Sequence, residues 1–340
     1  MKPTADKWYQ QVGTEGDVVI STRVRLARNI NGYPFPAGMT VDQKRELVQR
    51  VKQALETTGE RFVHLDMQNM PRRDALSMVE RHLISPEFAA CEAGSALFLT
   101  EDESISIMVC EEDHLRIQAM GAGMQLDDLY ARVDRLDTAL DQSLHFAFDE
   151  RLGYLTQCPT NLGTGMRTSL MLHLPALQER GGIPALANTV SKLGLTIRGS
   201  YGEGSKPEGA LYQLSNQVTL GISEQAAIEN LKGIAAQIIR EERAVRDELA
   251  HDPAFEDRAW RSLGILRSAR RLSCDEFMQL ISTLRVGVTT GLIGEVTLET
   301  IGELITAAQP ANIMTAQQAD LEPAQRDTAR AKLVRERLGA

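Results

Sequence analysis

The 340-residue sequence contains few cysteines and no long hydrophobic run. It has no stretch of roughly 18 uncharged apolar residues, and the N-terminal MKPTADKWYQ lacks the apolar core of a signal peptide. The cysteines have no CxxC spacing and the six histidines form no HExxH or HxxxH pair, which disfavours a zinc site or a disulfide framework. We therefore expect a cytoplasmic protein without a membrane span, whose cysteines are reduced: Cys91, Cys110, Cys158 and Cys274.

The sequence also lacks a low-complexity composition and a basic net charge. Glycine and proline number only 26 and 12, while 43% hydrophobic and 24% charged residues are ordinary for a globular protein. A net charge of -9 and a pI near 5.3 disfavour a dedicated nucleic-acid binder, because affinity for the phosphate backbone requires a basic surface. The length predicts about two domains.

Between about residues 17 and 215, short β-like runs alternate with helical stretches. Apolar residues from Leu126 to Leu144 recur at spacings of three and four, which predicts an amphipathic helix lying on a sheet. This part predicts an α+β fold with an antiparallel sheet flanked by helices. The runs that predict strands are 18–22, 95–100, 104–110, 153–158 and 194–199.

Three consecutive acidic residues, Glu101, Asp102 and Glu103, separate two of these strands. Their position predicts a β-hairpin with a solvated acidic turn. Acidic clusters also bind metal ions, and that alternative stays open.

After about residue 223 the strand signals stop, and we expect an all-helical domain over 223–340 behind a catalytic domain over 1–222. The helical periodicity covers 223–250, followed by segments near 256–270, 274–286, 297–308 and 323–338. The dense charges of the first helix predict a solvated face, as at Glu241, Glu242, Arg243 and Arg246.

The fingerprints of the common nucleotide-binding folds are missing. The absence of GxxxxGK[ST], of GxGxxG after a strand, and of HRD and DFG argues against P-loop enzymes and kinases of the eukaryotic type. Arginines instead stand beside glycines or in β-like runs. Their planar donor forks match phosphate oxygens, and five of them together are able to enclose a triphosphate. The alternative interpretation is that these arginines form separate ion pairs on the surface. They are Arg23 and Arg25 in STRVRLARN, Arg116 in EEDHLRIQAM, Arg167 in CPTNLGTGMR and Arg198 in RGSYGEG.

Four motifs, STRVRLAR, EEDHLR, CPTNLGTGMR and RGSYGEG, occur in this order and resemble the phosphagen (guanidino) kinase family. The resemblance implies a catalytic domain with a glutamine-synthetase-like antiparallel sheet, and an ATP:guanidino phosphotransferase activity that uses ATP and Mg²⁺. It also implies that the five arginines hold the nucleotide phosphates. Magnesium usually keeps several waters and binds substrate phosphates, so no dedicated protein site for the metal is expected.

The same resemblance places three groups at the guanidinium substrate: Glu112 in EEDHLR, Glu203 in YGEG and Cys158 in CPTN. A guanidinium is a poor nucleophile until carboxylates orient one nitrogen and accept its proton. Two glutamates also match its planar fork bidentately. Cys158 resembles the reactive cysteine of the family, and an inert buried thiol is the alternative. The role of Glu111 stays open.

The sequence departs from the small-molecule members of the family. Those members carry a helical domain ahead of the STRVR-like motif, part of which closes over the substrate, whereas here 20 residues precede Ser21. Met171 stands where they place a histidine. We therefore expect an open guanidino side, as an enzyme acting on arginine side chains within proteins requires. A kinase for free arginine or another small guanidine is the rival function.

The helical tail contains RDTARA at residues 326–331, and the chain in this respect resembles the bacterial protein-arginine kinases of the family. The resemblance implies that Arg326, Asp327 and Arg330 bind phosphoarginine, because arginines four apart share one helix face. A solvated helical face is the alternative, and a non-catalytic phosphoarginine-binding adaptor is a second rival function. The implied partners are protein substrates with accessible arginines, an activator protein, the Clp protease machinery and a heat-shock repressor, in a stress response; a homo-oligomer stays open.

Overall fold

A large antiparallel sheet forms the centre of the computed structural model, which describes residues 6–90, 93–199 and 207–339. The strands are β1 (Val19–Arg28), β2 (Val63–Asp66), β3 (Ala96–Leu99), β4 (Ile105–Val109), β5 (Leu115–Ala122), β6 (Phe148–Asp149), β7 (Gly153–Tyr154), β8 (Met166–His173), β9 (Leu195–Gly199) and β10 (Leu211–Asn216). Eight of them form the sheet in the order β2-β3-β4-β5-β1-β8-β10-β9, while β6 and β7 form a separate hairpin.

The helices flank this sheet and make up the C-terminal part. They are α1 (Val41–Leu55), α2 (Arg72–Glu80), α3 (Pro86–Ala89), α4 (Leu126–Leu144), α5 (Pro175–Glu179), α6 (Ile183–Lys192), α7 (Glu224–Leu249), α8 (Pro253–Ser268), α9 (Cys274–Thr289), α10 (Leu298–Ala307), α11 (Pro310–Gln317) and α12 (Pro323–Arg337). Among the described residues, no helix has both the length and the apolar character needed to cross a bilayer.

Local sequence explains where several helices begin. The side chain of Thr40 accepts a hydrogen bond from the backbone N–H of Gln43 at the start of α1, and the side-chain oxygen of Gln43 accepts one from the backbone N–H of Thr40. Ser223, Ser273 and Thr297 cap α7, α9 and α10 with their side-chain oxygens. Each such cap contributes about 1 kcal/mol, because it satisfies an N–H group that a helix start leaves unpaired. The predicted C-terminal helices are confirmed.

One face of the sheet is covered by α1, α4 and α7. Alternate residues of the strands, such as Leu26 and Leu170, point to this face and pack with the apolar stripe of α4 that the leucine spacing predicted. Ile228, Leu231 and Ile238 of α7 belong to the same core. The first helix beyond residue 222 therefore packs on the sheet, and the division between 222 and 223 stays a prediction.

The opposite face carries two smaller cores that leave its middle open. Leu97 and Met108, near one edge, pack with α2, α3 and Trp8. Leu211 of β10 packs with the helices α8–α12. The region between these two cores is the part of the sheet where polar side chains are able to face a ligand.

Two sequence-based expectations about charges were wrong. Glu242 and Arg246 of α7 are not on a solvated face: they are 0% and 2% exposed and pair with each other. Glu103 in the acidic turn is also buried, where it pairs with Arg81 and Lys7, while Asp102 accepts hydrogen bonds from its own loop. Glu242 and Arg246 lie four residues apart on α7 and neutralise each other, whereas Glu103 is neutralised by residues from other segments. The local pattern does not reveal the burial in either case.

The strand predictions had mixed outcomes. Those at 95–100, 104–110 and 194–199 are confirmed, and 18–22 is the start of the longer β1. The predicted strand 153–158 was wrong beyond Tyr154, because the chain leaves the hairpin there and runs toward the site as a loop. The described cysteines Cys110, Cys158 and Cys274 are free thiols, whereas Cys91 lies outside the described residues.

Candidate active site

The strand register places the predicted phosphate ligands on one face of the sheet. Arg25 of β1 lies directly opposite Arg167 of β8. Arg116 of β5 lies opposite Ala27, two residues from Arg25, and Arg23 is two residues away on the other side. Paired residues and residues two apart project to the same side of a sheet. These four guanidinium groups therefore share the open face.

Arg198 joins this face through the next two strands. It lies opposite Gln213 of β10, and Gln213 lies opposite Met171 of β8, which is four residues from Arg167. The Arg23 guanidinium donates a hydrogen bond to Gln213 Oε1 at 2.9 Å. All five predicted arginines are therefore on the same side of the sheet, along a line that crosses five adjacent strands.

A cleft of about 230 Å³ opens at the centre of this face. Three of the five arginines line it, together with two of the three residues predicted to hold the guanidinium substrate: Arg25, Arg116, Arg167, Glu112 and Cys158. Arg23 and Arg198 are not among the residues that line it. Glu203 lies outside the described residues, so its placement stays a prediction.

The cleft has an excess of positive charge. Burial and the charges of Arg23, Arg116 and Arg167 hold the pKa of Arg25 well below its ordinary range. Burial and the charge of Arg116 lower the pKa of Arg23 to about 10. Within the described residues, no side chain accepts a hydrogen bond from Arg25. Close like charges that outnumber the neighbouring carboxylates create a strong positive potential, and a polyphosphate would relieve it.

The two glutamates of EEDHLR have different environments. Arg116 donates a hydrogen bond to Glu111 Oε1 at 2.9 Å, and Ser85 also donates to this buried carboxylate. Glu112 faces the cleft, with its Oε2 3.5 Å from Arg116 Nη2 and its side chain 37% exposed. Burial and the neighbouring Asp113 raise the pKa of Glu112. Glu111 therefore orients Arg116, while Glu112 is the carboxylate available to a substrate.

A buried polar network, which the sequence interpretation missed, supports Glu112. Asp113 Oδ1 accepts hydrogen bonds from Asn29 Nδ2 at 2.6 Å and from the backbone N–H of Gln157 at 2.7 Å. Asn29 Oδ1 in turn accepts from the backbone N–H of His114. The network ties the EEDH loop to the end of β1 and to the loop that leads to Cys158. The adjacent D and H of the motif were its only sequence signal.

The CPTN loop is oriented by Arg167. Arg167 Nε donates to Asn161 Oδ1 at 3.0 Å, and its Nη2 donates to Thr160 Oγ1 at 3.1 Å. Cys158 Sγ lies 3.1 Å from the same hydroxyl. Thr219 Oγ1 donates to the carbonyl of Thr160 and fixes the loop from the other side. Thr160 and Asn161 are therefore positioning residues of the cleft.

The RDTARA segment lies on α12, away from the cleft, and its arginines differ. Arg330 is 1% exposed and donates to the carbonyls of Ala308 and Leu272, at 2.8 Å each, and to Asp327 Oδ1 at 2.9 Å. Arg326 is half-buried and donates to the backbone carbonyl of Leu321, in the loop just before α12. Arg330 is thus an internal tie between helices, and Asp327 is paired with it. Binding of phosphoarginine by this segment stays a prediction.

Comparisons with known proteins agree with this geometry. Residues 45–245 match the ATP:guanido phosphotransferase C-terminal catalytic domain, and residues 252–340 match the protein-arginine kinase McsB C-terminal domain. The chain is 42% identical over 336 residues to a protein-arginine kinase of Clostridium acetobutylicum, covering 97% of this chain and 99% of that protein. It is 44% identical to a protein-arginine kinase of Desulforamulus reducens, covering 98% and 96%.

Solved structures give the same fold. The duplicated taurocyamine kinase from Schistosoma mansoni with bound transition state analog components has a TM-score of 0.61 at 28% identity, covering 70% of this chain and 36% of that one. Lombricine kinase superposes with a TM-score of 0.61 at 23% identity, covering 71% of this chain and 73% of that one. At this identity the likeness shows only that the two proteins share the fold. The chain is thus similar to phosphagen kinases in its sheet and to protein-arginine kinases along its whole length. It belongs to the protein-arginine kinase family of ATP:guanido phosphotransferases.

Proposed function

We propose that this protein transfers the γ-phosphoryl group of ATP to the guanidinium of arginine side chains in other proteins. The observation that carries the proposal is one cleft in which Arg25, Arg116 and Arg167 face Glu112 and Cys158. Three arginines that outnumber the single carboxylate on the cleft lining suit a triphosphate, and that carboxylate suits a guanidinium acceptor. The names of the full-length relatives support a protein arginine as the acceptor.

In the proposed reaction the cleft acts by positioning and by electrostatics. The arginines hold the phosphates and stabilise charge on the transferring phosphoryl group. Glu112 orients one guanidinium nitrogen in line with the γ-phosphorus and accepts its proton as the N–P bond forms and the bond to the leaving ADP oxygen breaks. Glu203 and Cys158 are proposed to contact the same guanidinium. Mg²⁺ enters on the ATP phosphates, since it retains water and binds such oxygens.

Mass spectrometry of a protein substrate tests this function. An arginine-containing protein is incubated with ATP and Mg²⁺ and handled without acid, since an N–P bond is acid-labile. We expect phosphate on arginine side chains, and little product when free arginine replaces the protein. Phosphorylation of free arginine alone would favour a small-guanidine kinase, and the absence of ATP turnover would favour an adaptor.

Arg25→Ala should weaken ATP binding and phosphoryl transfer together. A phosphate contact exists in the ground state and strengthens as charge develops in the transition state. Arg25→Lys should recover only part of the loss, because lysine lacks the bidentate fork. Steady-state kinetics with varied ATP measure both effects. Full activity of Arg25→Lys would contradict a bidentate role for this residue.

We further propose that phosphoarginine binds at RDTARA, and the structure sharpens the test. Arg326→Ala should weaken binding of free phosphoarginine, measured by calorimetry, while the protein stays folded. Arg330→Ala should instead destabilise the helical part by about 3 kcal/mol or more, because it leaves two carbonyls and Asp327 without their donor. A folded Arg326→Ala variant that binds phosphoarginine normally would refute the assignment.

The wider role is proposed from the resemblance alone. It comprises a cytoplasmic location, an activator protein, regulation of a heat-shock repressor in a stress response, and marking of clients for Clp-type proteolysis. Degradation of a phosphorylated client by a Clp protease, compared with its unmodified form, tests the last of these. Equal degradation of both forms would refute the marking role.

A further inference from the structure

A second cavity lies outside the cleft, between the N-terminal segment and the C-terminal helices. It measures about 80 Å³ and is enclosed by residues 8–21, the start of the sheet, α9 and α10. Its lining is mainly apolar and includes Val19, Ile20, Leu211, Met278 and Ile305. A space of this size is larger than a single water molecule needs.

Two buried hydrogen-bond donors on this lining have no partner. Arg285 of α9 is 3% exposed and Trp8 is 9% exposed. Within the described residues, Arg285 Nε and Trp8 Nε1 make no hydrogen bond. Buried polar groups are normally paired, so each unpaired donor is a position where an acceptor is missing.

Arg285 also lacks a counter-ion. Its Nη2 donates to the backbone carbonyl of Gly16, and among the described residues no carboxylate lies within ion-pair distance of its guanidinium. Burial and the nearby charge of Arg246 lower the pKa of Arg285 to about 9, against the smaller opposing effect of the Asp17 carboxylate, so the guanidinium is still mainly protonated at neutral pH. An anion at this position would pair directly with a buried charge that Asp17 compensates only from a distance.

The two acidic residues on the lining are differently engaged. The carboxylate of Glu80 accepts hydrogen bonds from the backbone N–H groups of Ala311 and Asn312 at the start of α11, at 2.8 Å each. Burial and the neighbouring Asp275 raise the pKa of Glu208. Neither carboxylate pairs with Arg285.

We propose that this cavity binds a small monocarboxylate with a compact apolar body. The carboxylate would pair with Arg285, the Trp8 indole N–H would supply a second donor, and the apolar body would contact the side chains of Val19, Leu211 and Met278. The site is distinct from the cleft. The cavity is next to the arginine-bearing face of the sheet, because Trp8, Ser21 and Met171 also line a small pocket that contains Arg23.

The two tryptophans of the chain allow a direct binding test. Trp260 is exposed on α8, so Trp260→Phe leaves Trp8 as the only source of tryptophan emission. We expect isovalerate to change the Trp8 emission saturably. Isoamyl alcohol, its neutral counterpart of similar shape, should bind more weakly by a factor of about ten or more. In Arg285→Met the preference for isovalerate over the alcohol should disappear.

Gly302→Leu and Gly264→Leu form a matched control pair. Gly302 lines the cavity on α10, and a Cβ placed there would meet only Tyr9 O at 3.5 Å, an ordinary contact. Gly264 lies on α8 with nothing within 4 Å of such a Cβ. Leucine at 302 should fill the cavity and abolish the fluorescence response, whereas leucine at 264 should leave it unchanged. The absence of a saturable response to isovalerate, or a response that Gly302→Leu leaves intact, would overturn the proposal and indicate a water-filled cavity.

Discussion

Glu112→Gln is expected to abolish most phosphoryl transfer while leaving ATP affinity nearly intact. Glutamine is similar in size, but it does not accept the guanidinium proton and offers one acceptor oxygen instead of two. General-base contributions are typically about 10²- to 10⁴-fold, so we expect a loss of that order in kcat. Single-turnover kinetics measure the transfer, and equilibrium titration with ATP measures nucleotide binding.

The pH dependence gives a second measure of the same residue. The base must be deprotonated to act, and burial together with Asp113 raises the pKa of Glu112. Transfer should therefore decline on acidification at a higher pH than for an ordinary glutamate, because the proton returns at the raised pKa.

Glu111→Gln is the matched control, since Glu111 pairs with Arg116 and is not among the residues that line the cleft. It should weaken ATP binding more than transfer. Normal transfer by Glu112→Gln would remove Glu112 from the mechanism.

Glu242→Gln is expected to lower the free energy of unfolding by about 3–5 kcal/mol, because it leaves Arg246 as a buried charge without its partner. Glu242 Oε1 lies 2.7 Å from Arg246 Nε. The same carboxylate also accepts hydrogen bonds from the backbone N–H groups of Ala176 and Leu177 at the start of α5. The amide introduced by the substitution cannot satisfy all three donors. Urea denaturation followed by circular dichroism measures the loss.

Glu241→Gln is the control for this prediction. Glu241 is adjacent on α7 but exposed, and its side chain accepts a hydrogen bond from Gln237, so its substitution should change stability by no more than about 0.5 kcal/mol. Similar small effects of both variants would show that the buried pair contributes little. A large effect at position 242 alone would confirm that the buried carboxylate of Glu242, which joins Arg246 of its own helix to the start of α5, stabilises the fold.

Local pattern was sufficient for much of the fold. The leucine spacing of α4, the periodicity of α7 and the side-chain caps of the C-terminal helices are properties of contiguous residues, and each predicted element formed. The strands β5, β8 and β10, which make the middle of the sheet, were not predicted. Their sequences contain arginine, glutamine and serine at the alternate positions that face the cleft, and those polar residues conceal the apolar half of the pattern.

The site shows the same division. The motifs that resemble the phosphagen kinase family predicted, from the sequence alone, which residues carry the chemistry, and their roles stay predictions. Only the tertiary structure decided which of them meet: Arg25 reaches Arg167 through a register that joins segments far apart in the chain, and a slip of one residue would turn every side chain to the other face. It also decided that Glu242 and Arg330 are internal ties rather than solvated charges. Glu242 pairs with Arg246 of its own helix but also accepts hydrogen bonds from α5, and Arg330 donates to carbonyls of other segments. No local pattern encodes those contacts between segments.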